Sequence, residues 1–264
     1  SEEQGAAFDK RSWRYFTGEW FENWYPGYSN YSEYRGSMHI LYEQSRMAED
    51  GVRRPEGTVQ TYMESVHHQF VSTMANLESL ATHSQAMYRD YWDGRKYNVS
   101  AKSKFADKSY VILANDNHGR MAALVERLDA QGIEMFTNDA PLKVARATTQ
   151  LGSEERGFTI PEGSLIIPNR QPDAPLVAAI LEFDAEVRKS VLVEERQRTL
   201  RDGSSLMYDT TAWNFSMMYG LPAVTVPEHL NQGLQPWRSA APTIDVTAEA
   251  IAWSVSGDDD RSVA

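Results

Sequence analysis

The sequence predicts a mixed α/β protein built in two parts. Three observations carry this. Strand-like and helix-like segments alternate along residues 105–230. A single long helical stripe, without such alternation, dominates the chain before them. A polar stretch, roughly Lys96 to Lys108, separates the two patterns. Alternation of this kind predicts parallel βαβ units, hence a three-layer domain with a mostly parallel sheet.

The elements follow in order. Residues 1–35 are dense in aromatics, from Trp13 through Trp24 and Tyr25 to Tyr34, punctuated by Gly18, Pro26 and Gly27. The composition predicts loops packed by aromatic rings, with a substrate cleft as the sharper alternative. His39-Ile40-Leu41-Tyr42-Glu43 is short, apolar and β-prone, and predicts a strand ending in a carboxylate. After a polar turn around Gly51 to Gly57, the residues Val59, Met63, Val66, Phe70, Met74, Leu77 and Ala81 recur at steps of three and four. They predict a helix from about Thr58 to Trp92, fading at Asp93-Gly94.

The second part begins with a strand at Tyr110–Ala114, a loop at Asn115–Gly119, and a helix at Arg120–Gln131 stopped by Gly132. Strands at Ile133–Thr137, Ser164–Pro168 and Ala223–Val226 are expected, with helices at Ala174–Phe183 and Ala212–Tyr219. The charged run 184–202 predicts a solvated helix or excursion. Near the end, Ile251–Val255 reads as a strand, and Gly257-Asp258-Asp259-Asp260 as a capped turn opening a helix. The expected organisation is therefore 1–98, 105–230, and a truncated strand-helix unit over 231–264.

Composition narrows the chemistry. With 264 residues, 41% of them apolar, the chain can bury a sizeable core. A net charge of -11 disfavours binding to phosphate backbones. The absence of cysteine excludes disulfides, thiolate zinc sites and cysteine nucleophiles. No apolar run approaches the ~20 residues of a membrane span. The first residues, Ser1-Glu2-Glu3-Gln4, carry no basic region followed by an apolar stretch. The six histidines include no H-x-x-E or H-E-x-x-H spacing. Glu64, His67 and His68 share a helical face that could hold a metal with help from elsewhere, but a solvated polar face is the favoured reading. His118 lies in a strand-to-helix loop, where ligands often bind in α/β sheets. G-x-S-x-G, Walker A and G-x-G-x-x-G motifs are all missing.

One region is richer. Trp24-Tyr25-Pro26-Gly27-Tyr28, then Gly36-Ser37-Met38-His39-Ile40-Leu41-Tyr42-Glu43, then a long helix, resembles the end of the catalytic domain in zinc carboxypeptidases of the carboxypeptidase A/T type, above all their large bacterial members. Glu56-Gly57-Thr58-Val59-Gln60-Thr61-Tyr62 resembles the approach to that domain's closing helix. Gly163–Pro168 and Tyr208–Trp213 resemble segments of the region that follows it. His39 stands where the family has a small glycine, and the loop Ser29–Arg35 lacks an expected tryptophan. The second part is similar in layout to class I glutamine-amidotransferase-like domains, though those enzymes need a cysteine.

The resemblance implies that Glu43 is a general base, taking a proton from a zinc-bound water and passing it to the leaving amine. It implies that Tyr25, or alternatively Tyr28, is the loop tyrosine that hydrogen-bonds the substrate. It places the zinc ligands and the substrate-carboxylate arginine upstream of the motif. The chain is thus expected to be an interior piece of a larger extracytoplasmic (periplasmic or secreted) hydrolase acting on C-terminal residues of peptides. Zinc is expected in the intact parent; in the piece itself neither a bound metal nor activity is expected. The competing expectation is an accessory module that binds peptide, glycan or a protein partner. No nucleic-acid or membrane partner is expected, and self-association through the aromatic face is.

Overall fold

The computed structural model describes residues 2–15, 30–40, 42, 51–183, 189–205 and 214–238. Glu43, Tyr25, Tyr28, the expected strand at 251–255 and the turn after it lie outside the described residues. The chain divides into two compact units, one drawn from residues 1–21 and 36–94, the other from residues 22–35 and 95–264. Among the described residues, two short helices precede residue 36: α1 (Glu2–Asp9) in the first unit and α2 (Asn30–Tyr34) in the second.

In the first unit, β1 (Val52–Arg53) and β2 (Val59–Gln60) form a small antiparallel hairpin. Gly51 leads into it at φ +89, where a Cβ would meet the Gln60 carbonyl oxygen at 2.4 Å, so only glycine fits. The helix α3 (Tyr62–Asn98) follows and runs for 37 residues. It starts where it does because of a capping box. The Glu64 carboxylate accepts from the Thr61 N–H at 2.7 Å and from the Thr61 hydroxyl at 2.9 Å, and the Thr61 Oγ1 accepts from the Glu64 N–H at 3.2 Å. The helix therefore begins later than the expected Thr58, which with Val59 and Gln60 belongs to the hairpin. It also passes through Gly94, which alone costs only ~1 kcal/mol in a helix. Beyond it Arg95 and Asn98 are held by Asp173 and the Pro172 carbonyl, so the last turn has tertiary anchors.

The face of α3 that is covered is not the one its sequence advertises. Ser65, Val71, Ser72, Ala75 and Ser79 are buried, whereas Met63, Val66, Phe70, Met74 and Leu77 are exposed. The helix α1 is tied to α3 by polar bonds: Gln4 donates to Asn76 at 2.7 Å, Ser79 donates to Glu3 at 2.5 Å, and His83 pairs with Glu3 at 2.6 Å. These partners hold the Glu3 carboxyl below its ordinary value of 4.5, the Ser79 hydroxyl contributing most. A depressed carboxylate stabilises the fold above its unfolded value and ceases to do so as pH falls through the folded one. Docking of α1 is thus expected to persist above about pH 4.5 and to weaken below it. Amide hydrogen exchange across α1 in wild type and Glu3→Gln tests this; identical acid profiles would refute the assignment.

The second unit opens with β3 (Ser109–Ile112), α4 (His118–Asp129) and β4 (Phe136–Asn138). A hairpin of β5 (Leu142–Thr149) and β6 (Glu154–Ile160) comes next, then β7 (Leu165–Pro168) and α5 (Ala174–Leu181). α6 (Lys189–Asp202), α7 (Phe215–Met218), β8 (Ala223–Val226) and β9 (Leu234–Pro236) complete it. The strand order is β6-β5-β8-β3-β7-β4-β9. Every ladder among the described residues is antiparallel, with Ser109 opposite Pro168 on one side and Val226 on the other.

The protein is therefore mixed α/β, and among the described residues its seven-stranded sheet is antiparallel where a mostly parallel one was expected. The alternation of strand and helix did report a real feature. β3 and β4 run in one direction with α4 between them, as do β7 and β8 with α5 between them. Each pair is split by a strand of the other, giving the central order β8-β3-β7-β4. This is a split βαβ arrangement, in which crossover helices join parallel strands that are never neighbours. Sequence periodicity identifies each crossover but not what fills the gap within it.

Both faces of the sheet are covered. On one, Tyr110, Ile112, Leu165 and Ile167 pack with Leu124 and Leu128 of α4 and Leu176 and Ile180 of α5. On the other, Val111, Ile166, Val224 and Val226 pack with Val144, Ala147 and Ile160 of the β5–β6 hairpin. That double burial explains why β3, β7 and β8 are buried at every position and read as continuous apolar runs. The hairpin eluded the sequence reading because Lys143, Arg146, Glu154, Glu155 and Arg156 break its apolar content. Those charges suit an outer edge, where they discourage pairing with another strand. The charged helix α6 carries no buried residue, as a solvated excursion would.

Candidate functional site

Of the segment Trp24–Glu43, residues 30–40 and 42 are described. Gly36 opens its second half at φ +87, and a Cβ there would approach the Tyr91 ring of α3 to 3.2 Å. A glycine is needed at this position for both its conformation and its closeness to the helix. Met38 and Ile40 are exposed and His39 is half-buried, without strand hydrogen bonding at residues 37–40. A strand was expected over His39–Glu43; its described residues, His39, Ile40 and Tyr42, carry no strand hydrogen bonding.

Tyr42 directly precedes Glu43 and is fixed on α3. Its hydroxyl donates to Asn76 Oδ1 at 2.9 Å, and its carbonyl accepts from Gln69 Nε2 at 3.5 Å. Asn76 Oδ1 also accepts from Gln4, so one amide of α3 holds both α1 and the approach to Glu43. Burial raises the Tyr42 phenol above its usual value, only partly offset by the bond to Asn76. Sequence reasoning did not single out Gln4, Gln69, Tyr42 or Asn76 as supports. A polar amide inside a helical stripe was the one available signal.

Tyr31, Tyr34 and Arg35 are held within the second unit. Arg35 forms an ion pair with Asp173 at 3.3 Å, and donates to the Tyr31 hydroxyl at 3.0 Å and the Gln131 carbonyl at 3.2 Å. Arg95 binds the same Asp173 carboxylate through both terminal nitrogens, at 2.5 and 3.3 Å. Tyr31 donates to Gln131, and Tyr34 packs on the core against α4 and α5. Burial pushes the Tyr34 phenol up to about 12. This anchoring network, like the one around Tyr42, joins residues too far apart in sequence for spacing to reveal.

The metal-ligand candidates have other duties. Glu64 closes the capping box, and its bonds from Thr61 hold its carboxyl below the ordinary value. The His68 ring lies 4.2 Å from the Trp13 ring and 5.7 Å from Phe8, and His67 lies 5.1 Å from Trp13. Burial lowers the His68 pKa, with Glu64 opposing the shift. Among the described residues, no three His, Cys, Asp or Glu side chains gather as a metal site requires. These residues do not fit a zinc ion. His118 is exposed at the first position of α4, which is capped by the Asn117 side chain through the Arg120 N–H.

In the second unit the most buried ionisable side chain is Tyr110. Its hydroxyl lies 3.4 Å from Glu182, which also pairs with Lys108. Burial, reinforced by the adjacent Glu182, drives its pKa well above 10.0. It is a neutral core phenol at any physiological pH, suited to donating a hydrogen bond rather than to acid–base work. No protein-family model matches the chain, and no curated protein or solved structure is detectably similar to it.

Proposed function

We propose that residues 1–98 form the closing part of a carboxypeptidase A/T-type catalytic domain, and that residues 105–230 form a further α/β domain following it in sequence. The parent protein hydrolyses the C-terminal peptide bond of peptide substrates in an extracytoplasmic compartment. The observation that carries this reading is the order of one stretch of chain. Trp24-Tyr25-Pro26-Gly27-Tyr28 is followed by Gly36 through Leu41-Tyr42-Glu43, and then by a capped helix of 37 residues. The fixing of Gly36 and Tyr42 against that helix supports it.

In this reading Glu43 accepts a proton from the attacking water and returns it to the leaving amine. Tyr25, with Tyr28 as the alternative, donates a hydrogen bond to the substrate. A bound zinc would polarise the scissile carbonyl and activate the water. The resemblance implies that residues preceding this motif would hold it. A binding module for peptide, glycan or protein is the second reading, favoured if the preceding sequence lacks ligands at H-x-x-E spacing.

The test has two arms. A longer protein carrying the preceding sequence is expected to bind one zinc and to release C-terminal amino acids, with activity lost on chelation. Zinc-loaded protein without peptidase activity would sink the catalytic reading. The 264-residue chain alone is expected neither to retain stoichiometric zinc nor to cleave peptides. Elemental analysis of untagged protein with a peptidase assay in added zinc checks this; one tight zinc per chain with measurable turnover would overturn it.

A further inference from the structure

The apolar stripe of α3 faces solvent. Met63, Val66, Phe70, Leu77, Leu80 and Tyr88 are each between 50 and 77% exposed. At about 100° per residue these six side chains fall within an arc of about 100°. Ser65, Ser72, Ala75 and Ser79, which are buried, centre on the opposite side of the helix. The helix thus buries Ser65, Val71, Ser72, Ala75 and Ser79, while among the described residues nothing covers its largest apolar side chains. No Asp, Glu, Lys or Arg falls within the apolar arc between Met63 and Tyr88.

We propose that a second copy of this chain covers this face, pairing the two α3 helices side by side in antiparallel fashion. The inference stands on the exposure of α3 in the 264-residue chain. Size favours it. From Met63 to Tyr88 the stripe is ~38 Å long at 1.5 Å per residue. Its exposed apolar surface, with Met74, Tyr91 and Trp92 on its margin, is on the order of 700 Å². A monomer rarely exposes a contiguous patch above a few hundred Å², and a stable dimer needs ~800 Å² from each partner. Shape favours it as well. A two-fold axis between Ala75 and Asn76 sets Phe70 against Ala81, Met63 against Tyr88 and Met74 against Leu77. The largest side chain of the centre then meets the smallest, as a self-complementary isologous interface requires. The uncharged arc lets two strongly acidic chains approach without opposing charges at the contact.

Analytical ultracentrifugation of the 264-residue chain from ~1 to 100 μM is expected to give a discrete dimer. Phe70→Asp and Leu77→Asp, each placing two carboxylates in the dry contact, should raise its dissociation constant at least roughly 100-fold. Both positions are exposed in the single chain, so circular dichroism and thermal midpoint should stay unchanged, which separates loss of pairing from loss of folding. Glu78→Gln, outside the arc, should leave the dimer intact. A monomer across the whole range, open-ended aggregation, or a dimer that survives Phe70→Asp and Leu77→Asp together would each overturn the proposal. So would a longer protein that stays monomeric with this face protected, since the preceding sequence would then be the occupant. Peptidase activity enters none of these readouts, so failure here leaves the Glu43 assignment standing.

Discussion

On the proposed reading, Glu43→Gln in a longer protein that carries zinc ligands is expected to lower kcat/KM for peptide substrates by roughly 10²–10⁴-fold while zinc stays bound. Glutamine keeps the shape of the side chain and one of its acceptor oxygens but cannot take up a proton at neutral pH. The loss should fall on kcat more than on KM, because the proton transfer belongs to the transition state and not to substrate binding. Tyr25→Phe removes a single hydrogen bond of about 0.5–1.5 kcal/mol and should cost about tenfold or less. Tyr28→Phe decides which tyrosine contacts substrate, since only one of the two should respond. Steady-state kinetics with elemental analysis on the same preparations checks each point. Full activity in Glu43→Gln would remove Glu43 from the mechanism.

How much of this was legible in the sequence depends on the range of the interactions. The strand Ala223–Val226 was placed at its observed limits, and β3, β7, α4 and α5 within a few residues, because each is a run whose own side chains enter the core. The direction of the sheet was not legible. It depends on β7 entering between β3 and β4, a pairing between residues more than 50 positions apart that no local period records. The stripe on α3 was legible as a pattern but not as a location. Periodicity states that Met63, Val66, Phe70 and Leu77 share a face, and only coordinates state that this face is open and that the serines opposite it are covered. At the candidate site the motif proposes Glu43, Tyr25 and Tyr28, which lie outside the described residues. What it could not give was the scaffold: Tyr42 on Asn76, or Arg35 and Arg95 on Asp173.

The last of these supports carries the largest expected effect on stability. Asp173→Ala should destabilise the second unit by about 2–4 kcal/mol, toward the lower end of what breaking a buried ion pair costs. Only 7% of the Asp173 side chain is exposed, and it neutralises two guanidinium groups from distant parts of the chain. Its removal leaves Arg95 and Arg35 facing each other across a partly buried space without their shared counter-ion. Both arginines keep some solvent contact, at 24 and 34% exposure, so screening offsets part of the loss. Asp173→Asn preserves the shape but not the charge and should fall between wild type and Asp173→Ala. The two arginines need not contribute equally. Arg95 meets the carboxylate bidentately, a geometry that concentrates binding energy, whereas Arg35 divides its donors among Asp173, Tyr31 and Gln131. Arg95→Met should therefore approach the full Asp173→Ala loss, and Arg35→Met should cost less. Release of Arg35 also predicts a local result: trypsin should cut after Arg35 faster in Asp173→Ala than in wild type under conditions where both remain folded. Denaturant titration of the four single variants and the Arg95→Met, Asp173→Ala double variant measures the coupling directly. Additive losses from Arg95→Met and Asp173→Ala would mean that the carboxylate does not bind the helix end to α5, and that α3 continues past Gly94 for another reason.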